Sequence, residues 1–116
     1  MDERTLRVLE FGRIRELLTA CAATELGKER CSQTGPQREM ATIQELQAGT
    51  SEARRLLDLG KQIPLGGIQN IGDSVDKADR GGMLHPEQLL DVLYTLESTR
   101  RLKKAVAALG PEYPIM

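Results

Sequence analysis

Residues 42–60 read TIQELQAGTSEARRLLDLG, and the spacing of their apolar side chains decides the fold class. Ile43, Leu46, Thr50, Ala53 and Leu57 step by three, four, three and four. That rhythm lines them along one side of an α-helix. Leu56 and Leu59 widen the stripe. Thr42 with Glu45 has the form of a capping box, and a start near Glu39 is equally open. Gly49 softens the interior, and Gly60 suits the position just past the end, where a positive φ is wanted. The spacing predicts a helix over about residues 39–59.

The same rhythm continues on both sides. Toward the N-terminus, Leu6, Leu9, Ile14, Leu17, Leu18 and Cys21 recur at helical intervals, which predicts helix over about residues 3–20. Gly12 follows Phe11 and costs ~1 kcal/mol relative to Ala in a helix interior, so a bend is expected there. Thr24 is placed to cap a further turn containing Leu26. Residues 32–38 read as a loop punctuated by Gly35-Pro36.

Toward the C-terminus, residues 61–67 read as a connector. Ile68, Ile71, Val75 and Ala78 then predict a helix over about residues 68–79, closed by Gly81-Gly82 through positive φ or close approach. Pro86 suits the first helical position and Glu87 the positive dipole end. Leu89, Val92, Leu93, Leu96, Leu102, Val106 and Leu109 extend that last helix to about residue 109. The expectation is an all-α segment spanning residues 1–116, with about five helices in an irregular bundle. The apolar close Tyr113-Pro114-Ile115-Met116 reads as sequence that continues, so the chain is expected to be the N-terminal segment of a longer protein.

Composition agrees with helices. Aromatics are 3% of the 116 residues, whereas β-sandwiches and barrels lean on aromatic and β-branched side chains. The net charge of −1 supplies no global basic field for nucleic acid. Cys21 and Cys31 have no metal-ligand spacing and read as buried free thiols in a reducing compartment. No apolar run approaches the ~20 residues of a membrane span, and Met1-Asp2-Glu3-Arg4 leads into no signal-peptide core. A cytoplasmic protein with no membrane partner is expected.

No catalytic, cofactor-binding or metal-binding set emerges from the residues. His85 is the one histidine and sits before Pro86, so it reads as a surface or capping residue. There is no nucleophile-elbow motif and no Walker-type glycine loop, and the Gly66-Gly67 and Gly81-Gly82 doublets read as turns. Asp73, Asp76 and Asp79 read as a solvated face opposite Val75 and Ala78. Arg54-Arg55 and, above all, Arg100, Arg101, Lys103 and Lys104 are the candidates for nucleic-acid contact, since backbone phosphates need clustered Lys and Arg. Stacking aromatics, which single-strand binding also wants, are missing.

Several strings taken in order resemble a known family. They are residues 6–11 (LRVLEF), 14–18 (IRELL) and 22–27 (AATELG), then Thr50-Ser51-Glu52-Ala53 and Leu56-Leu57. Residues 64–68 (PLGGI), 80–84 (RGGML) and 86–90 (PEQLL) follow, and Tyr113-Pro114-Ile115 closes the series. The chain resembles the start of the second-type bacterial MutS family, whose members usually carry a C-terminal Smr nuclease domain. The resemblance implies a homodimeric ABC-type ATPase, using ATP and Mg, that clamps branched DNA or ribosomes. It associates the family with suppression of recombination and rescue of collided ribosomes. For this stretch it implies a non-catalytic scaffold, the beginning of core and lever helices, held by the rest of the same chain. An independent helical DNA- or RNA-binding module is the alternative. Phe11-Gly12-Arg13 is not the Phe-x-Glu wedge of mismatch readers, and no Walker, clamp or nuclease residue has a counterpart in these residues.

Overall fold

The computed structural model describes residues 2–114. Ile115 and Met116, half of the apolar close, lie outside them. Among the described residues six helices follow one another: α1 (Glu3–Val8), α2 (Phe11–Cys21), α3 (Glu25–Ser32), α4 (Met40–Asp58), α5 (Gly72–Asp79) and α6 (Pro86–Ala107). The all-α expectation holds, and no strand occurs among the described residues. One helix more is present than expected. Thr24 does cap a turn, its hydroxyl accepting from the Gly27 N–H at 3.0 Å, but the helix it starts runs on to Ser32. Gly27 does not break it, because a Cβ there would meet the capping hydroxyl at 3.0 Å.

The boundaries also move. The bend expected at Phe11-Gly12 falls one residue earlier, where Glu10 takes a left-handed φ of 52° and separates α1 from α2. Of the two starts open for α4, the earlier one is used: Glu39 is the N-cap, and Thr42 donates to its carboxylate at 3.1 Å instead of capping. Ile68 and Ile71 precede α5 instead of lying in it, with Asn70 accepting from the Gly72 N–H at 3.2 Å.

The glycines do what their positions asked. Gly60, at φ 68°, closes α4 with its N–H on Leu57 O and that of Lys61 on Leu56 O. Gly81, at φ 78°, closes α5 in the same way, and the Gly82 N–H reaches Lys77 O at 2.9 Å. Both are Schellman closures. The Gly81-Gly82 doublet serves both purposes at once, because a Cβ on Gly82 would lie 2.9 Å from that same carbonyl.

Two compact units are present. The first comprises Met1–Gly35 and Leu65–Ser98. In it α2 packs against α1 and α3. Arg15 stacks over Phe11 at 5.5 Å and donates to the Ser32 carbonyl at 3.4 Å, so a cation sits at the negative end of α3. The Gln69 N–H donates to the Thr95 hydroxyl at 3.0 Å, tying the segment before α5 to α6. The second unit comprises Pro36–Pro64 and Thr99–Met116. Leu56 is completely buried in it, Tyr113 nearly so, and Lys61 lies 5.4 Å from the Tyr113 ring centre.

Burial corrects the apolar stripes. On α4 the covered line runs through Gly49, Glu52, Ala53 and Leu56, while Leu46 and Leu57 face solvent. At about 100° per residue this is a rotation of roughly a quarter turn from the expected stripe. The α4 helix is apolar over a wide arc, and only one edge of the arc finds cover. On α5 the buried side chain is Ser74, and Val75 is exposed. On α6, Val92, Thr95, Ser98, Leu102 and Val106 are covered, whereas Leu89, Leu93 and Leu96 point outward. Eighteen large apolar side chains are exposed among the described residues, against two that are buried.

Candidate functional site

The four basic residues singled out by sequence all lie on the last two turns of α6, in the second unit, and all are exposed. Their outward direction is fixed by packing, since Leu102 and Val106 are half-buried on the other side of the helix. Arg100, Lys103 and Lys104 are neighbours at three- and four-residue spacing, which sets their Cβ atoms ~5–6 Å apart on one face. Arg101 stands about 100° further round the helix. It engages in an interaction of its own, whereas Arg100, Lys103 and Lys104 have no ion-pair partner among the described residues. No acidic residue occurs between Glu97 and Glu112.

The second unit as a whole leans the same way. It holds eight Lys and Arg against five Asp and Glu, while the first unit holds eight against twelve. The near-neutral total conceals this contrast. Arg54 and Arg55 on α4 are also exposed, and Arg54 lies 3.9 Å from the Asp58 carboxylate. All of these cations are exposed, which leaves them open to contact with anions.

The other reactive groups stay apart. His85 is exposed at the start of α6, and its backbone N–H donates to the Gln88 side chain at 3.0 Å. The reach-back half of a capping box thus stands where a Ser or Thr cap is absent. Cys21 is exposed and Cys31 half-buried. The expected burial of Cys21 fails because the side of α2 that carries Leu17 and Leu18 is itself uncovered. Asp73 and Asp76 line an open cleft of about 310 Å³, but Lys77 and Arg80 share it. Among the described residues no group of three or more His, Cys, Asp or Glu is placed to hold a metal ion. A groove of about 630 Å³ runs between α2 and α3 beside Arg15, Thr19, Lys28 and Ser32. Its two hydroxyls are engaged with backbone, Thr19 donating to the Arg15 carbonyl at 2.8 Å and Ser32 to the Glu29 carbonyl at 2.7 Å. No helix among the described residues is long and apolar enough to cross a membrane.

Three placements were not legible in the sequence: Glu52 buried on α4, Lys61 over Tyr113, and Arg15 at the end of α3. Each joins residues distant in sequence or depends on which edge of a helix is covered. Periodicity carries neither kind of information.

Comparison with known proteins supplies what the site does not. The chain is 50% identical over 104 residues, 90% of its length, to an endonuclease MutS2 from Symbiobacterium thermophilum. It is 37% identical over its full length to endonuclease MutS2 proteins from Bacillus thuringiensis and Bacillus anthracis. The chain is a homologue of one part of the MutS2 proteins. It spans only 13% of the length of the first relative and 15% of the others. The family resemblance seen in the strings from Leu6 to Ile115 is thus borne out. No family model and no solved structure matches the chain.

Proposed function

We propose that this stretch is a non-catalytic helical scaffold within a MutS2-type protein, part of the helices that link a clamp to an ATPase head. The carrying observation is the direction of its leucines. Leu89, Leu93 and Leu96 follow one another on α6 and are each about half exposed or more, while the covered positions beside them are Thr95 and Ser98. Burying one such Leu fully contributes ~1.5–3 kcal/mol, so this face gains most by being covered in a larger assembly. That surface supports a role in packing, and passing movement along helices is what the family resemblance implies. In this reading the rest of the same chain is the immediate partner. ATP and Mg act elsewhere in a homodimeric whole, and the target is branched DNA or the ribosome, in the cytoplasm.

The test replaces Leu89, Leu93 and Leu96 together by Lys. In the 116-residue chain the variant keeps its helical circular dichroism and associates less. In a full-length MutS2-type protein the same change disrupts assembly and slows ATP hydrolysis. A full-length variant that assembles and turns over normally would sink the scaffold reading. The alternative, an independent DNA- or RNA-binding module, rests on the basic end of α6.

A further inference from the structure

We infer that a stripe on α6, formed by Leu89, Leu93, Leu96, Arg100 and Lys103, is a docking surface for one antiparallel helix. The first turns of that partner helix carry carboxylates, and its later turns carry large apolar side chains. The inference rests on the scaffold reading and names the chemistry of what covers the exposed face. The five positions step by four, three, four and three. That is the spacing of a helix–helix seam, and it runs ~21 Å along one unbroken helix. Leu89, Leu93 and Leu96 are each about half exposed or more. Arg100 and Lys103 are exposed, with no ion-pair partner among the described residues. Val92 stands three residues after Leu89 and four before Leu96, at the edge of the stripe. With Val75, Ala78 and Leu84 it lines a cleft of about 340 Å³ between α5 and α6. A docking helix thus meets a ridge of leucines with an apolar groove beside it, the relief into which a second helix packs.

Charge decides the occupant. The stripe is apolar as far as Leu96 and cationic after it, so its cover must change character at the same place. A second copy of α6 does not do so. Laid parallel, it sets Arg100 on Arg100 and Lys103 on Lys103. Laid antiparallel on the leucines, it brings the cations toward the start of the helix, where the carboxylates are Glu87 and Asp91. At about 100° per residue both of these stand on the far side from the stripe. A lipid surface takes cations along the margins of an apolar face, whereas here they follow the leucines in the same line. A helix with carboxylates opposite Arg100 and Lys103, and apolar side chains opposite the leucines, matches both halves. Its direction follows from the dipoles. Antiparallel packing opposes the two macrodipoles and sets the carboxylates in the partner's first turns, where a negative charge is favoured.

The experiment measures fluorescence anisotropy of labelled synthetic helices added to the 116-residue chain at low salt. One probe has glutamates at the seam positions of its first two turns and leucines at those of its later turns. A second has lysines in place of the glutamates. A third keeps the glutamates and has glutamines in place of the leucines. The first is expected to bind about tenfold more tightly than either of the others. The variant Arg100→Glu, Lys103→Glu is expected to reverse the preference toward the lysine probe while its circular dichroism is unchanged. No binding of the first probe overturns the inference, as does equal binding of the first probe and either of the others. A preference that the variant leaves in place overturns it too. So does a chain that pairs with itself through this face, or attaches to vesicles of anionic phospholipid, in preference to the first probe. If lysines at Leu89, Leu93 and Leu96 disrupt full-length assembly while the charge of the probe makes no difference, the scaffold reading stands and this inference falls.

Discussion

The first unit, with α1, α2, α3 and α5, and the second, with α4, differ in whether they bury any large apolar side chain fully, although the second too exposes Met40, Leu46, Leu57 and Leu59. In the second, Leu56 and Tyr113 are buried, and the outward face of its α6 turns is given to Arg and Lys. In the first, the buried side chains are Ser74, Thr95 and Ser98, while Ile14, Leu17, Leu89, Leu93 and Leu96 are exposed. One unit has the beginnings of a hydrophobic core of its own. The other has Leu6, Phe11, Ile68, Ile71, Leu84 and Val92 only half-buried, beside caps, a cation at a helix end and a loop-to-helix hydrogen bond. The difference teaches that residues reading equally well as core in a sequence fall into two populations. Some are spent within the unit, and the rest form its outer surface.

The sharpest way to break this contrast is Leu56→Ala. Leu56 is fully buried, and truncation of such a residue costs about 2–5 kcal/mol, so the urea midpoint should fall strongly. The matching change on the first unit, Leu93→Ala, removes a side chain that is 48% exposed and should alter stability in the 116-residue chain by less than ~0.5 kcal/mol. Similar losses at the two positions would show that the units do not differ. Backbone changes come next. Gly81→Ala forces a Cβ into φ 78° and should cost about 1–2 kcal/mol, read as a lower melting temperature.

Tyr113→Phe sharpens the view of the second unit. The Tyr113 hydroxyl is buried with no hydrogen-bond partner among the described residues, which costs about 1–3 kcal/mol if left unmet. Its removal should leave stability unchanged or raise it, and a clear loss would reveal a partner.

The smallest effect belongs to the α1 cap. Hydrogen bonds from the hydroxyl and the backbone N–H of Thr5 hold the exposed Asp2 carboxyl below its usual range. A lowered folded pKa means that the cap's contribution is present above the ordinary value of about 3.9 and fades as pH falls through the lower folded value. An NMR titration of Asp2 should therefore have a midpoint below that of the same residue in the Asp2-containing peptide. Equal midpoints would remove the cap's pH dependence.

Much of the local structure was legible beforehand because its causes are local. Thr24 as a cap, Gly60 and Gly81 as helix closures, and Pro86 as a first helical residue each act within a few positions of themselves. The basic cluster at residues 100–104 was equally visible, since it depends on composition over five positions. What the stripes of α4, α5 and α6 did not reveal was which edge is covered. Leu56 and Leu57 are adjacent leucines of equal hydrophobicity, yet one is fully buried and the other 71% exposed.

The sequence by itself determined that the chain is helical, that α4 and α5 close at Gly60 and Gly81, and the family to which it is homologous, because capping, propensity and residue order are properties of the string. Only the tertiary structure decided that Ser98 and Thr95 are covered while Leu89, Leu93 and Leu96 are not. The reason is geometric. A helix that is apolar around most of its girth has no preferred side until neighbours pack on it, and the choice among its faces is made by what stands beside it.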